Sequence, residues 1–351
     1  MSTQTWPALL GRLIAGHDLA EEDTAWAMDQ VMSGAATSVQ IAGLAVALRA
    51  KGETPAEIAG MATMMLAHAR QRITLSARAV DVVGTGGDQA HTVNISTMAA
   101  IVTAAAGIPV AKHGARSASS KSGAADVLEA LGVAIALPAD AVLACIDELG
   151  IGFCFAPLYH PALRNAAEAG SELNIPTPFN FLGPLTNPAQ PDAGLVGCAN
   201  ARIAPVLAQV FAQRGKTALV VRGDDGLDEL TTTTTSTVWV ADGGIVRTEQ
   251  VDPATLGIRP ATPADLRGGD AEANAEVVRE LVGGKPGPVR DAVLLNAAGA
   301  VVAYRGLSDR GLSADLADGL AVVGAAIDSG AAATLLERWR ARSTELKAAA
   351  G

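Results

Sequence analysis

The sequence predicts an α/β protein: a small all-helical N-terminal domain and a large α/β domain, with a mostly parallel central sheet flanked by helices. Three observations carry this prediction. Apolar residues recur at helical spacing from Pro7 to Ala69, short β-branched runs then alternate with apolar helical stretches, and glycine-rich turns follow several of those runs. We expect the helical domain to cover residues 1–73 and the α/β domain residues 74–351.

Composition and charge narrow the classes of protein to which the chain can belong. Of its 351 residues 49% are hydrophobic and 3% aromatic, enough for a large aliphatic core. No apolar run reaches the roughly 18 residues that span a bilayer, and the N-terminus lacks a signal-peptide pattern, so we expect a cytoplasmic protein without a membrane partner. A formal net charge of −10 repels polyanions, so we do not expect a nucleic-acid partner.

The cysteines predict no covalent framework. Cys145, Cys154 and Cys198 are odd in number, widely spaced and set among apolar residues. Such a pattern indicates neither a disulfide framework nor a zinc site, and we expect buried free thiols.

The elements follow from spacing and turn signals. Thr54 is expected to cap a helix that begins at Pro55. The β-branched run AVDVVGTGG predicts a strand ending in glycines, and the apolar helix MAAIVTAAAG follows it. The alternation recurs in IPVAKHG with SGAADVLEALG, and TALVVRGDDG begins a further unit. STVWVADGG and IVRTEQ are expected to pair as a hairpin.

Two more extended segments are expected in the second half. The β-branched run from Thr231 to Thr235, ahead of Val238, predicts an extended edge or hairpin strand. DAVLLNAAGAVVAY predicts another strand, followed by helices up to Lys347. Because strands alternate with helices, the glycine-rich loops are expected to gather at the carboxyl ends of parallel strands, where ligands bind.

The first candidate binding motif is GTGGD, from Gly84 to Asp88, which follows a strand and precedes HTVNIST and an apolar helix. Glycines let a backbone approach a ligand closely, and a helix N-terminus with Asn94, Ser96 and Thr97 offers donors to phosphate. The motif matches neither the Rossmann fingerprint nor the P-loop. It therefore predicts a phosphate site without indicating a nucleotide cofactor.

The second motif is KHGARSASSKSG, residues 112–123, which also follows a short strand. Lys112 supplies a point charge, Arg116 a planar fork, and the serines supply hydroxyls in a loop that glycines leave free to curl. A solvated linker is the alternative, but the flanking segments are apolar and the gap is short. Two phosphate loops on neighbouring strand ends predict a ligand with phosphates at both ends.

The third motif, GDDGLDELTT, places Asp224, Asp225, Asp228 and Glu229 after a strand. Adjacent carboxylates repel one another unless a cation bridges them, and Mg²⁺ commonly takes one or two carboxylates together with substrate phosphates. In isolation a solvated acidic turn would be the better interpretation. Beside two phosphate loops, we expect Asp228 and Glu229 to hold a metal.

These motifs resemble those of the anthranilate phosphoribosyltransferases. The resemblance is carried, in order, by GTGGD, NIST, KHGxRxxSSKSGxAD, FAPLYHPAL, FNFLGPLTNPA and GDDGLDELTTTTTS, and it covers most of the chain. It implies a helical domain completed by a helix at about 166–181, and a homodimer joined through the helical domains. The ligand with phosphates at both ends would be phosphoribosyl pyrophosphate (PRPP).

The resemblance also implies the residues of each subsite. The PRPP set would be Gly84, Gly87, Asp88, Thr92, Asn94, Ser96, Thr97, Lys112, Ala115, Arg116, Ala118, Ser119, Ser120 and Ala124. The acceptor set would be Gly84, His113, Ala115, Ala156, His160, Arg164 and Gly170. Mg²⁺ would be held by Ser96, Asp228 and Glu229. No side chain is expected to act as a chemical catalyst, because an arylamine lone pair is free at neutral pH and catalysis would be positional and electrostatic.

Two positions depart from the family pattern in the acceptor set. Ala115 stands where the family usually has an Asn, and Gly170 where it usually has an Arg that faces the acceptor carboxylate. Losing a charge-assisted hydrogen bond costs about 1.5 to 3 kcal/mol. Either Arg164 or His113 takes over the carboxylate, or the acceptor is a different aromatic, or these positions were altered on purpose.

The implied reaction is Mg²⁺-dependent transfer of 5-phosphoribosyl from PRPP to the amino group of anthranilate or a close aromatic analogue. Diphosphate would be released, in the second step of tryptophan biosynthesis. One alternative is a phosphoribosyltransferase of the same fold with another acceptor. A nucleoside phosphorylase is disfavoured because its usual DKHSTGG loop is replaced here by GTGGD. A non-catalytic nucleic-acid-binding homologue is disfavoured because the acidic pair is retained and no basic groove is evident.

Overall fold

The computed structural model describes residues 4–117 and 121–350, and its N-terminal part is a bundle of helices. These helices are α1 (Trp6–Ile14), α2 (Glu21–Met32), α3 (Ser38–Lys51) and α4 (Pro55–Ala67). The Thr54 side chain accepts a hydrogen bond from the Glu57 amide, and Pro55 occupies the first position of α4, as predicted. Leu44, Leu48 and Ile58 are buried in the bundle core.

A seven-stranded sheet forms the centre of the larger part. Its strands are β1 (Val80–Gly84), β2 (Val110–Gly114), β3 (Ile151–Phe155), β4 (Ala193–Gly197), β5 (Thr217–Gly223), β6 (Ser236–Asp242) and β7 (Ile245–Val251). The order is β3-β2-β1-β4-β5-β6-β7, with β1 to β5 parallel and β6 and β7 antiparallel. Gly243 and Gly244, both with positive φ, form the turn of the predicted hairpin. The mostly parallel sheet is confirmed.

Helices cover both faces of the sheet. The remaining helices in the described part of the chain are α5 (Ile95–Ala105), α6 (Ala124–Ala130), α7 (Ala139–Leu149), α8 (Ala156–Tyr159), α9 (Arg164–Leu173), α10 (Ala204–Gln213), α11 (Ala271–Val282), α12 (Pro288–Arg305), α13 (Leu312–Asp328) and α14 (Ala331–Ala350). Of these, α9 packs against α3 of the bundle. Val82 belongs to the same apolar core as α5 and α12, whereas the next residue, Val83, belongs to the core shared by α10 and the bundle. Alternate strand residues thus face two separate cores. The three cysteines are buried and free, as predicted.

Two predicted extended segments are wrong. The stretch within 291–304 lies in α12, which begins at Pro288 and ends before Gly306 (φ 81°). This helix is buried on most of its surface, so its sequence lacks the polar face that would reveal helical spacing. Residues Thr231 to Thr235 precede β6 without joining it, and residues 232–234 form bends, because hydroxyls and amides of this run bond within the acidic loop instead of a strand ladder.

The segment expected to complete the bundle is only partly helical. Helix α9 ends at Leu173, the next residue Asn174 has a left-handed φ of 46°, and a 3₁₀ turn follows at Pro178–Phe181. Ala166, Ala169 and Phe181 are buried in the core of the bundle. The domain boundary at residue 73 stays a prediction. Among the described helices, none alone is long and apolar enough to cross a membrane; α13 and α14 meet that criterion only as a pair bent by 66°.

Candidate active site

The predicted motifs meet at the carboxyl end of the parallel strands. Residues 85–88 of GTGGD follow β1, the described residues 115–117 and 121–123 follow β2 beside it, and the acidic loop follows β5. Strand β4 separates β1 from β5, yet the Gly86 amide donates to Asp228 Oδ2 at 2.7 Å. The acidic loop therefore crosses the end of β4. Glycine is required there, because a β-carbon on Gly84 would stand 2.3 Å from Asp228 Oδ2 and one on Gly197 would stand 1.6 Å from Asp228 O.

Asp228 and Glu229 form an acidic cluster with Asp88. Burial, followed by the charge of Asp88, raises the pKa of Asp228 to about 7. Burial, followed by the charge of Asp228, raises the pKa of Glu229 well above its usual range, while Lys112 and a hydrogen bond from the Ser96 backbone act in the opposite direction. Buried carboxylates that repel one another are stabilised by a cation. This is the chemistry expected of a divalent metal site.

The donor set fits Mg²⁺ better than a metal caged entirely by protein. Across residues 4–117 and 121–350, no group of three or more His, Cys, Asp and Glu side chains is arranged to hold an ion. Mg²⁺ usually takes one or two carboxylates and completes its shell with water and substrate phosphates. Asp228, Glu229 and the nearby Ser96 hydroxyl match that requirement.

Asp224 and Asp225 have a structural role in the same loop. Asp224 accepts hydrogen bonds from the Thr237 hydroxyl (2.9 Å) and from Thr235 and Gln250. Asp225 accepts from the Thr231 hydroxyl (2.8 Å) and from Thr233. These carboxylates are thereby engaged within the loop. The threonine run, which the sequence analysis assigned to a strand, shapes the loop that presents Asp228 and Glu229.

Lys112 lies deeper than the sequence analysis expected. It is 2% exposed, and its Nζ donates to Val82 O at 2.5 Å and to Ser96 Oγ at 3.4 Å. Burial lowers the pKa of Lys112, whereas Asp81 and Glu229 oppose that shift. The Lys112 ammonium therefore lies beside Ser96, one of the three residues expected to hold Mg²⁺. Contact between Lys112 and PRPP stays a prediction.

The second loop is closed by Asp126, which sequence reasoning missed. Asp126 accepts from the amides of Ser117 (3.3 Å) and Gly123 (2.8 Å), and it pairs with Arg116 at 2.7 Å. Arg116 also pairs with Glu129 at 2.6 Å, so its guanidinium binds two carboxylates of the protein itself. The sequence did contain a signal for this contact: Asp126 stands three residues after Gly123, the spacing at which an acidic side chain caps the start of a helix. Of the predicted PRPP residues, Ala118, Ser119 and Ser120 lie outside the described residues.

The NIST segment forms the start of α5. Asn94 occupies the N-cap position, but its side chain donates to Ser122 O (3.1 Å) and accepts from Asn274 Nδ2 (2.8 Å). Asn274 was not found from the sequence, since 180 residues separate the pair. Thr97 Oγ1 is buried and unpartnered within the described chain. The loop before this segment contains left-handed residues, Gly87 (φ 85°) and the non-glycine Gln89 (φ 58°).

Two predicted acceptor residues, His113 and His160, form a buried pair. Their ring centroids lie 5.8 Å apart with the planes at 75°. His113 Nδ1 is 2.9 Å from Gly183 O, and His160 Nε2 is 2.7 Å from Thr186 O. Burial, then His160, lowers the pKa of His113 to about 3. A neutral His113 supplies no charge to replace the missing arginine.

The other acceptor positions provide little polar chemistry. A β-carbon on Gly170 would meet nothing within 4 Å among the described residues. Arg164 is exposed at the start of α9, and within the described chain it forms no ion pair. Ala115 is exposed after β2, and Ala156 begins α8; Ala124, which belongs to the predicted PRPP set, begins α6. Contact between Arg164 and the acceptor carboxylate stays a prediction.

Comparison with known proteins agrees with this arrangement. Residues 7–69 match the helical bundle domain of the glycosyl transferase family, and residues 76–333 match its a/b domain. The fold and site thus define a glycosyl transferase. Proteins named anthranilate phosphoribosyltransferase from Saccharopolyspora erythraea and Rhodococcus jostii are 64% and 60% identical, over 97% and 96% of this chain and 97% and 92% of their own. The chain belongs to the anthranilate phosphoribosyltransferase family.

Solved structures of the family superpose closely. The anthranilate phosphoribosyltransferase of Thermus thermophilus has a TM-score of 0.88 at 40% identity, covering 96% of this chain and 99% of that one. The Saccharomyces cerevisiae protein in complex with PRPP and Mg has a TM-score of 0.87 at 26% identity, covering 98% and 99%. The predicted family and fold are confirmed.

Proposed function

We propose that the protein transfers the 5-phosphoribosyl group of PRPP to the amino group of anthranilate and releases diphosphate, in tryptophan biosynthesis. The observation that carries the proposal is the acidic cluster of Asp228, Glu229 and Asp88 against the glycine loop after β1. A divalent ion there would neutralise the cluster and a diphosphate together. The yeast relative solved with PRPP and Mg supports both ligands.

Asp228, Glu229 and Ser96 would hold Mg²⁺, which when bound stabilises the negative charge that develops on the leaving diphosphate. The N-terminus of α5 adds backbone amides and the positive end of a helix dipole to the same region. Lys112, beside Ser96, adds a fixed positive charge. These groups favour the departure of diphosphate, and a free arylamine needs no general base to attack C1 of the ribose.

Anthranilate is the acceptor we favour over a different aromatic. Relatives that are 56% to 64% identical over nearly the whole chain bear the name anthranilate phosphoribosyltransferase. The neutral rings of His113 and His160 provide a buried wall suited to an aromatic ligand. Ala115 and Gly170 predict weaker binding of the carboxylate, not a different reaction.

We further propose a homodimer formed through the bundle. Leu10, Leu13 and Val46 line an apolar groove of about 550 Å³ between α1 and α3. Ile14 at the groove and Val39 nearby on α3 are each 81% exposed. A second copy that covers this face would remove both from water. The cytoplasmic location stays a prediction.

Loss of anthranilate fluorescence in the presence of PRPP and Mg²⁺ tests the proposed reaction. The wild type is expected to consume anthranilate only when both are present, and Asp228→Asn with Glu229→Gln is expected to abolish turnover because the cation loses its anionic ligands. Glu22→Gln is the matched control, since it removes the charge of an exposed carboxylate in α2, outside the acidic loop. Equal activity with and without Mg²⁺, or full activity in the double variant, would contradict the proposal.

A further inference from the structure

We propose that Asn274 in α11 is a positioning residue for PRPP, acting through Asn94; this inference rests on the proposed function. Asn274 is 2% exposed, and both ends of its amide are engaged. Its Oδ1 accepts from the Gly269 amide at 2.8 Å, and its Nδ2 donates to Asn94 Oδ1 at 2.8 Å. A buried amide with both ends bonded has one orientation, so it fixes its partner as well.

Asn274 directs the side chain of Asn94 away from its own helix. An Asn at an N-cap usually accepts from the second or third amide of the helix. Within the described chain, the Asn94 side chain accepts from neither of these two amides. The Thr97 amide instead donates to the backbone carbonyl of Asn94 at 3.1 Å. The start of α5 is consequently left without a side-chain cap, which is the condition under which a helix N-terminus receives an anion.

The same contact joins the two phosphate loops. Asn94 Nδ2 donates to Ser122 O at 3.1 Å, and Ser122 Oγ lies 3.4 Å from Asn94 Oδ1. Asn274 therefore fixes the side-chain amide of Asn94, and that amide links the start of α5 to the loop after β2. Without Asn274 the Asn94 side chain would be free to rotate and cap α5 itself, competing with phosphate for the same amides.

The segment that carries Asn274 is anchored to the phosphate loop by its backbone. Val93 N donates to Leu266 O at 2.9 Å, and Gly268 N donates to His91 O at 2.8 Å. A β-carbon on Gly268 would stand 2.6 Å from Thr92 O, so the two backbones lie in close contact. These bonds hold the segment in place without Asn274. Its side chain can therefore be changed while its backbone remains docked.

A double-mutant cycle tests the inference. Asn274→Ala, Asn94→Ala and the double variant are assayed for the KM of PRPP, the KM of anthranilate and kcat. Each single change is expected to raise the KM of PRPP about tenfold with the KM of anthranilate unchanged, and the double variant is expected to be no worse than Asn94→Ala. Multiplying effects, about a hundredfold in the double variant, would overturn the inference because the residues would act independently.

Controls separate positioning from folding. Ser343→Ala removes another buried side-chain hydrogen bond, 3.0 Å from the Ala134 amide, and is expected to lower Tm without changing the KM of PRPP. If Asn274→Ala does not fold, Asn274→Ser takes its place in the cycle, because its shorter hydroxyl side chain stays polar and uncharged but cannot maintain the 2.8 Å bond to Asn94. Titration calorimetry with PRPP and Mg²⁺ runs alongside, so a protein that binds PRPP but ignores anthranilate would contradict the proposed function and still test Asn274.

Discussion

Gly197 at the end of β4 lies against the backbone of Asp228, so closely that a β-carbon at residue 197 would stand 1.6 Å from the Asp228 carbonyl oxygen. This contact lets the acidic loop cross β4 and reach the glycine loop after β1. The acidic cluster therefore depends on the absence of a side chain on a strand that contributes none of its acids.

Gly197→Ala is expected to displace the acidic loop, because a backbone carbonyl cannot move aside as a flexible side chain can. We expect kcat/KM to fall by about tenfold or more, with a higher Mg²⁺ concentration needed for half-maximal rate. Steady-state kinetics across a Mg²⁺ series measures both. The control is Gly324→Ala in α13, where a β-carbon meets nothing within 4 Å among the described residues. Unchanged Mg²⁺ dependence in Gly197→Ala would count against the crossing.

Restoring the missing polar groups is expected to strengthen acceptor binding. Ala115→Asn with Gly170→Arg should lower the KM of anthranilate about ten- to a hundredfold, since the carboxylate would regain a charge-assisted hydrogen bond. An added side chain fits, because a β-carbon at residue 170 meets no described atom within 4 Å. Aniline, which lacks the carboxylate, serves as the control acceptor and should show no such gain. An equal gain for both acceptors would show that the carboxylate is not what residue 170 contacts.

Acid should destabilise the protein through His113. Its pKa is about 3 when folded and about 6.5 when unfolded, so the unfolded chain takes up a proton first and stability falls as pH drops from about 6.5 to about 3. Between pH 7.5 and pH 5 this residue alone accounts for about 2 kcal/mol of that loss. The free energy of unfolding of His113→Gln should therefore fall by about 2 kcal/mol less than that of the wild type over this pH range, as measured by urea unfolding at both pH values. The exposed His17→Gln is the control; identical pH dependence in wild type and His113→Gln would refute the assignment.

A charge in the apolar groove should prevent association of the bundle. Ile14→Glu, at a side chain 81% exposed, places a carboxylate where the second copy would bury it, and we expect a monomer by analytical ultracentrifugation with a dimeric wild type. Ile245→Glu, at an exposed residue of β7, is the matched control and should remain dimeric. A wild type that sediments as a monomer at micromolar concentration would disprove the proposed dimer.

Local patterns determined much of the fold. A β-branched run followed by glycines and an apolar helix specifies a strand, a loop and a helix within about 25 residues, so the sequence alone located β1, β2, β5 and the hairpin of β6 and β7. The position of the site loops could then be predicted as well, because parallel strands bring their carboxyl ends to one edge of the sheet. Pattern reasoning was wrong for α12 because a helix buried on most of its surface has no polar face to mark its period.

Only the tertiary structure decided how the loops engage one another. The bond between Asn94 and Asn274 joins residues 180 positions apart, and the bond between Gly86 and Asp228 joins residues 142 apart. Neither leaves a local signal, because an isolated buried Asn or a glycine at a strand end fits many environments equally well. Residue types indicated the chemistry of a phosphate and metal site. The close packing of distant backbones determined that Asp228 and Glu229 form a cluster of repelling carboxylates with Asp88, whereas Asp224 and Asp225 accept hydrogen bonds from the threonine run.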